Sequence, residues 1–196
     1  IAQVTKGKWR NVPCDMFITG MSFKRPYMAE GTQGNLYFST NTDIHDHSFT
    51  SGSALNVTKA LKKGAVAAVV PNSAEGLPTD MPLLQVDHVL LSLKALGAHV
   101  RDHLYTGKRV IVTGTEGKTG FKCALHHVLA PQISTHAALN SSNLDHSIHA
   151  SFASIRQNDR IAIFEAAGTH PGRCKRRSLF VKPHLFVITE VGNEHI

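Results

Sequence analysis

The run Val110-Ile111-Val112-Thr113-Gly114-Thr115-Glu116-Gly117-Lys118-Thr119 constrains this chain more than any other. A β-branched apolar segment passes through a glycine-containing turn into Gly-Lys-Thr at the start of a helical pattern. Such a turn aims successive backbone N–H groups, and the positive end of the helix, at one anion. Lys118 can reach the outer phosphates of a nucleotide, and the Thr119 hydroxyl can take a place on a magnesium ion. The cofactor-binding residues read from this turn are Gly114, Thr115, Glu116, Gly117, Lys118 and Thr119, with a nucleoside triphosphate as the ligand. The general pattern has glycine where this chain has Val112, so placement carries the reading. Residues 109–113 read as a strand and 118–129 as a helix whose Phe121, Ala124, Leu125, Val128 and Leu129 suit packing on a sheet. The alternative is an ordinary strand-turn-helix connection with an exposed lysine.

Beyond Gly107 strands and helices alternate: the strand at 109–113, the helix at 118–129, a polar loop, a helix at about 145–156, and strands at 160–165 and 184–189. Alternation of this kind implies a mainly parallel sheet covered by helices. Ligands of such sheets gather at the carboxyl ends of the strands, where Lys118, Glu165 and the residues after Thr189 should converge. The first hundred residues read as a smaller α/β unit, with strands at 35–40, 65–70 and 83–86 and helices at 53–63 and from Asp87 to about Leu104. The expected fold class is therefore α/β: a small N-terminal α/β domain over 1–107, followed by a P-loop domain with a mainly parallel sheet over 108–196.

With 196 residues and 42% hydrophobic content the chain can bury a core. No apolar run approaches the roughly 18 residues needed to span a bilayer, and the first residues lack the pattern of a signal peptide, so the chain reads as cytoplasmic. It starts without methionine and stops soon after a strand-like run, which reads as a piece of something longer. The formal charge of +7 suits phosphate-bearing ligands. Its densest cluster, Arg173, Lys175, Arg176 and Arg177, has no interleaved aromatics for stacking on bases, so a solvated helix face is expected there and nucleic acid is not. Cys14, Cys123 and Cys174 are odd in number and far apart, which implies no disulfide framework. Cys123-x-x-His126 with His170-x-x-x-Cys174 imitates zinc spacing; a core thiol and a surface imidazole on one helix are the expected account of the first pair.

Glu165 ends the apolar run Ile161-Ala162-Ile163-Phe164, a position suited to holding magnesium beside a triphosphate; a solvent-facing strand-end acid is the alternative. His170 and His195 follow successive strands on the same rim, and Asn140 lies in a polar loop where it could hydrogen-bond a substrate or simply shape a turn. The His45-Asp46-His47 cluster has no evident partner, and a structural or exposed role is expected for it.

Taken together, the residues resemble the Mur ligase family. Thr113-Gly-Thr-Glu-Gly-Lys-Thr119 resembles its Thr-Gly-Thr-Asn-Gly-Lys-Thr, Glu165-Ala-Ala-Gly-Thr-His-Pro-Gly172 its Glu-x-Gly-x-x-His-Pro-Gly, and Thr189-Glu-Val-Gly-Asn-Glu-His195 its Thr-Asn-Val-Gly-Pro-Glu-His. In the first domain Ile18-Thr19-Gly20, Gly34-Asn35-Leu36-Tyr37-Phe38, His47-Ser48-Phe49 and residues 63–70 follow the family's substrate-binding domain. The resemblance implies an ATP-dependent, ADP-forming ligase that makes an amide bond through an acyl phosphate, in peptidoglycan precursor synthesis or a related pathway. ATP and Mg2+ are the implied cofactors, and a small acid and an amino acid or dipeptide amine the implied substrates. The remainder of the central domain and a C-terminal domain are implied beyond residue 196.

The implied roles fall on particular residues: Lys118 and His195 as catalytic groups, Thr119, Glu165 and His195 as metal ligands, and Asn140 on the substrate side. Departures from the family pattern are Glu116 for asparagine, Gly120 for Ser or Thr, Glu190 for asparagine, Ala137-Ala138 for Gly-Asn, and Phe23-Lys24-Arg25-Pro26 in place of an Asp-Ser-Arg signature. Glu116 puts negative charge near an anion, so a nucleotide-binding or regulatory protein with impaired catalysis is the alternative.

Overall fold

The computed structural model describes residues 1–23, 33–39, 54–138, 145–168 and 170–192. The described residues form two compact units, Ile1–Leu96 and Gly97–Ile196. Both are α/β with mainly parallel sheets.

The first unit contains the short helix α1 (Ala2–Thr5), strands β1 (Lys8–Arg10), β2 (Gly20–Ser22) and β3 (Asn35–Phe38), helix α2 (Ala54–Lys62), and strands β4 (Ala67–Pro71) and β5 (Leu83–Val86). Helix α3 (Val89–His99) follows and passes into a π-helical segment, Val100–Leu104. The sheet order is β1-β5-β4-β3-β2, with β1 antiparallel to β5 and the other pairs parallel. Every residue of β4 is buried, as expected of a central parallel strand covered on both faces. Val57 and Ala60 of α2 pack with Tyr37, Ala68, Val70 and Leu83. Strands β1 and β2 have only three residues each and were not evident in the sequence, because so short a stretch carries no usable alternation.

The second unit runs β6 (Lys108–Thr113), α4 (Lys118–Leu129), β7 (Thr135–Ala137), α5 (Asp145–Ala153), β8 (Ile161–Glu165), α6 (Arg173–Val181) and β9 (Leu185–Ile188). Its four strands are all parallel, in the order β7-β8-β6-β9. Alternating residues divide the sheet between two cores. Val110, Val112 and Ile163 pack with Leu125 and Leu129 of α4. Ile111, Ala162 and Phe164 pack instead with Ile148 and Phe152 of α5 and Val181 of α6. The connection after β6 thus leaves toward one face and the connection after β8 toward the other, which opens a crevice between the carboxyl ends of these neighbours.

Three sequence expectations are corrected here. Phe121 and Val128 are 41% and 60% exposed, and Lys122 is buried, so α4 turns Lys122, Leu125 and Leu129 inward. Cys123 is accordingly exposed and is no core thiol. In α6 the basic cluster is not wholly a solvated face: Arg177 is buried, its Nε donates to Asp145 Oδ1 at 2.8 Å, and its guanidinium also reaches the Ala167 carbonyl. The burial of Asp145 pushes its carboxyl up, but the Arg177 hydrogen bond and the charges of Arg177 and Arg176 outweigh this and hold it below the ordinary value.

Candidate nucleotide-binding site

The turn between β6 and α4 is shaped by two glycines with positive φ, Gly114 at 136° and Gly117 at 73°. Gly114 also meets a close approach: a Cβ there would stand 2.3 Å from Thr189 Oγ1 and 2.8 Å from the Glu190 carbonyl oxygen. The segment after β9 is laid against the turn by the Thr115 N–H donating to the Glu190 carbonyl (2.8 Å) and the Thr189 N–H donating to the Thr113 carbonyl (2.9 Å). The Thr189 hydroxyl donates to the Glu116 carbonyl at 2.5 Å, and the Gly192 N–H donates to Thr115 Oγ1 at 3.1 Å. Thr189 therefore clamps the turn, a role that the strand-end motif suggested only as sequence order.

Helix α4 begins at Lys118 with Gly117 as its N-cap, and Gly117 supplies no side-chain hydrogen bond. The positive helix end is thus presented without a carboxylate or hydroxyl at the cap position. Lys118 Nζ donates back to the Gly114 carbonyl (2.8 Å) and the Thr115 carbonyl (2.5 Å), holding its ammonium over the turn. A cavity of about 310 Å³ opens at this point, lined among others by Thr113, Gly114, Thr115, Lys118, Gly168 and Glu190. Its size lies within the range of small-ligand sites. Glu116 is exposed, so its carboxylate sits where solvent screens it from an anion in the turn.

Glu165 stands beside the turn because of register. It pairs with Val112 across β6 and β8, and it shares the strand face of Ile161 and Ile163, which is the face covered by α4. Thr119 Oγ1, in the first turn of α4, lies 3.0 Å from each Glu165 carboxylate oxygen. Lys122 Nζ lies 3.2 Å from Glu165 Oε2, and both of those side chains are 1% exposed. Oxygen donors of this kind, a hydroxyl and a carboxylate, suit a hard divalent cation that keeps waters and phosphates as its other ligands.

The structure brings Gly114, Thr115, Glu116, Gly117, Lys118, Thr119 and Glu165 together at the ends of β6 and β8. Asn140, His195 and the His45-Asp46-His47 cluster lie outside the described residues. His170 is exposed. Among the described residues no group of three or more His, Cys, Asp or Glu side chains is placed to hold a metal. Lys122 was missed in the sequence. The available signal was its spacing three residues after Thr119 and three before Leu125, which puts all of them on one helix face.

Residues 112–196 match the model of the Mur ligase middle domain. Over that span the chain is similar to the Mur ligases. It is similar to the UDP-N-acetylmuramoyl-tripeptide–D-alanyl-D-alanine ligase of Bacillus subtilis, 29% identical over 141 residues, covering 71% of this chain and 30% of that protein. The same-named ligase of Borreliella burgdorferi is 27% identical over 125 residues, covering 64% of this chain and 26% of the relative. The chain spans about a third or less of the length of these curated relatives.

Solved structures give the same fold. A MurF crystal structure from Acinetobacter baumannii superposes with a TM-score of 0.72 at 24% identity, covering 100% of this chain and 40% of that one. MurF ligase from Thermotoga maritima, solved in complex with ADP, superposes with a TM-score of 0.60 at 22% identity, covering 93% of this chain and 40% of that one. Among the described residues no helix is long and apolar enough to cross a membrane.

Proposed function

We propose that this chain is part of an ATP-dependent ligase that forms an amide bond in peptidoglycan precursor synthesis, ADP being a product. The observation that carries the reading is the Thr119–Glu165 contact at the foot of the phosphate turn, in a chain whose residues 112–196 match the Mur ligase middle domain. The names of the curated relatives, ligases of UDP-N-acetylmuramoyl-tripeptide and D-alanyl-D-alanine, favour a muropeptide acid and a dipeptide amine. The MurF ligase solved with ADP favours an adenine nucleotide at the turn.

In this reading residues 108–196 supply the nucleotide-binding domain and residues 1–107 the substrate domain. The turn's N–H groups and the N-terminus of α4 hold the phosphates, and Lys118 leaves the Gly114 and Thr115 carbonyls to neutralise the outer ones. Thr119 and Glu165 are the residues that hold Mg2+, with His195 assigned to a second metal position. The metal supplies charge neutralisation on the phosphoryl oxygens. A substrate carboxylate oxygen attacks the γ-phosphorus, and the bond to the bridging oxygen breaks to release ADP. The amine nitrogen then attacks the acyl carbon, phosphate departs with its bonding pair, and the nitrogen gives up a proton. Such transfer depends chiefly on positioning and charge, which the fixed turn provides. Asn140 is assigned to the substrate side.

The test is ADP release by the full-length protein across a panel of muropeptide acids and amino-acid or dipeptide amines. Release that requires both an acid and an amine supports the reading; its absence across the panel contradicts it.

A further inference from the structure

Lys122 is a fully buried lysine on a helix whose neighbouring positions, Phe121 and Cys123, are exposed. Its ammonium would be costly to bury alone, as would the Glu165 carboxylate. The two coexist because Nζ stands 3.2 Å from Oε2 while Thr119 Oγ1 stands 3.0 Å from both oxygens. Glu165 thus already has a cation beside it before any nucleotide arrives. A divalent ion arriving alone would have to share the carboxylate with an ammonium that burial prevents from swinging into water. The phosphates of a nucleotide add enough negative charge beside Thr119 to reverse that balance.

We propose that Lys122 is a positioning residue and built-in counter-cation for Glu165, which fixes the carboxylate toward Thr119 and makes divalent metal enter with the nucleotide rather than ahead of it. The inference rests on the reading of residues 114–119 as a magnesium–nucleotide site, and it assigns to Lys122 control over the order in which that site fills. Lys122 itself touches neither substrate nor phosphate in this account.

The test is Mn2+ binding to the full-length protein, followed by the loss of the free-ion electron paramagnetic resonance signal, without nucleotide and with ADP. Wild type is expected to bind Mn2+ with ADP and to show no Glu165-dependent binding below millimolar concentration without it. Lys122→Met is expected to tighten nucleotide-free Mn2+ binding by about tenfold or more, and Lys122→Met/Glu165→Gln to abolish that gain. Lys122→Arg should behave as wild type. Lys122→Gln keeps a donor to Glu165 but removes the charge, and it should show the same gain if Lys122→Met does not fold. A merely structural lysine would lower the melting temperature in these variants and leave metal affinity unchanged. The proposal is overturned if the neutral variants bind Mn2+ alone no better than wild type, or if wild type already binds it as tightly as they do. Wild type that binds Mn2+ neither alone nor with ADP would overturn the nucleotide-site reading as well.

Discussion

Thr119 Oγ1 lies 3.0 Å from both carboxylate oxygens of Glu165, joining the first turn of α4 to the end of β8. One hydroxyl thereby sets the distance between the 114–117 turn and the acid that ends β8. Thr119→Val removes this oxygen while keeping the branched shape, and is expected to weaken Mg2+-dependent nucleotide binding about tenfold, the worth of one charge-assisted hydrogen bond. Thr119→Ser should retain most of the affinity. Titration of a fluorescent adenine nucleotide at several Mg2+ concentrations makes the comparison.

Gly114→Ala should damage both the turn and the fold. Its φ of 136° is a conformation that L side chains rarely adopt, and the new Cβ would collide with Thr189 Oγ1 and the Glu190 backbone. A loss of about 1–3 kcal/mol in unfolding free energy is expected, with nucleotide binding weakened in the same variant. Denaturant unfolding and nucleotide titration on one preparation check both effects.

Gly120 offers the opposite case. A Cβ there would meet nothing within 4 Å, and the residue is exposed on α4. Gly120→Ala should therefore stabilise the protein by roughly 0.5–1 kcal/mol through helix propensity and reduced unfolded-chain freedom. The readout is a higher denaturation midpoint with an unchanged slope; a lower midpoint would contradict the packing described for α4.

The contrast between these neighbours shows what the sequence could disclose. Residues 114–119 and Glu165 were legible because their spacing is local and their strand-end placement follows from alternation. The bounds of α4 were legible for the same reason. Its buried face was not: Phe121, Ala124 and Val128 look like the apolar side, yet Lys122 takes an inward position because Glu165 awaits it 43 residues away. No periodicity can report a partner brought in by sheet register. Arg177 was misread as solvated for a related reason, its partner Asp145 lying 32 residues earlier at the start of α5. The three-residue strand β7 escaped notice within a polar stretch, since only pairing with β8 defines it.

Acid should weaken the second unit through His136. Burial of its ring pushes the pKa down from 6.5 to about 4, partly opposed by Asp159, and Nε2 lies 2.8 Å from Ser151 Oγ. The unfolded chain takes up this proton near the ordinary histidine value, while the folded chain resists it until about pH 4. Stability is therefore lost progressively as pH falls from about 6.5 to about 4, and this contribution is flat below that. His136→Gln keeps a hydrogen-bonding group and removes the titration, so the slope of unfolding free energy against pH across that window should be shallower than in wild type.

The central claim is that residues 114–119 hold the phosphates of ATP, and it is tested most directly by measuring ATP affinity in the presence of Mg2+ for full-length wild type and Lys118→Ala. The account predicts saturable binding by wild type and affinity weaker by at least about tenfold in the variant, as loss of a lysine–phosphate contact requires. Equal affinity in the two proteins would contradict it.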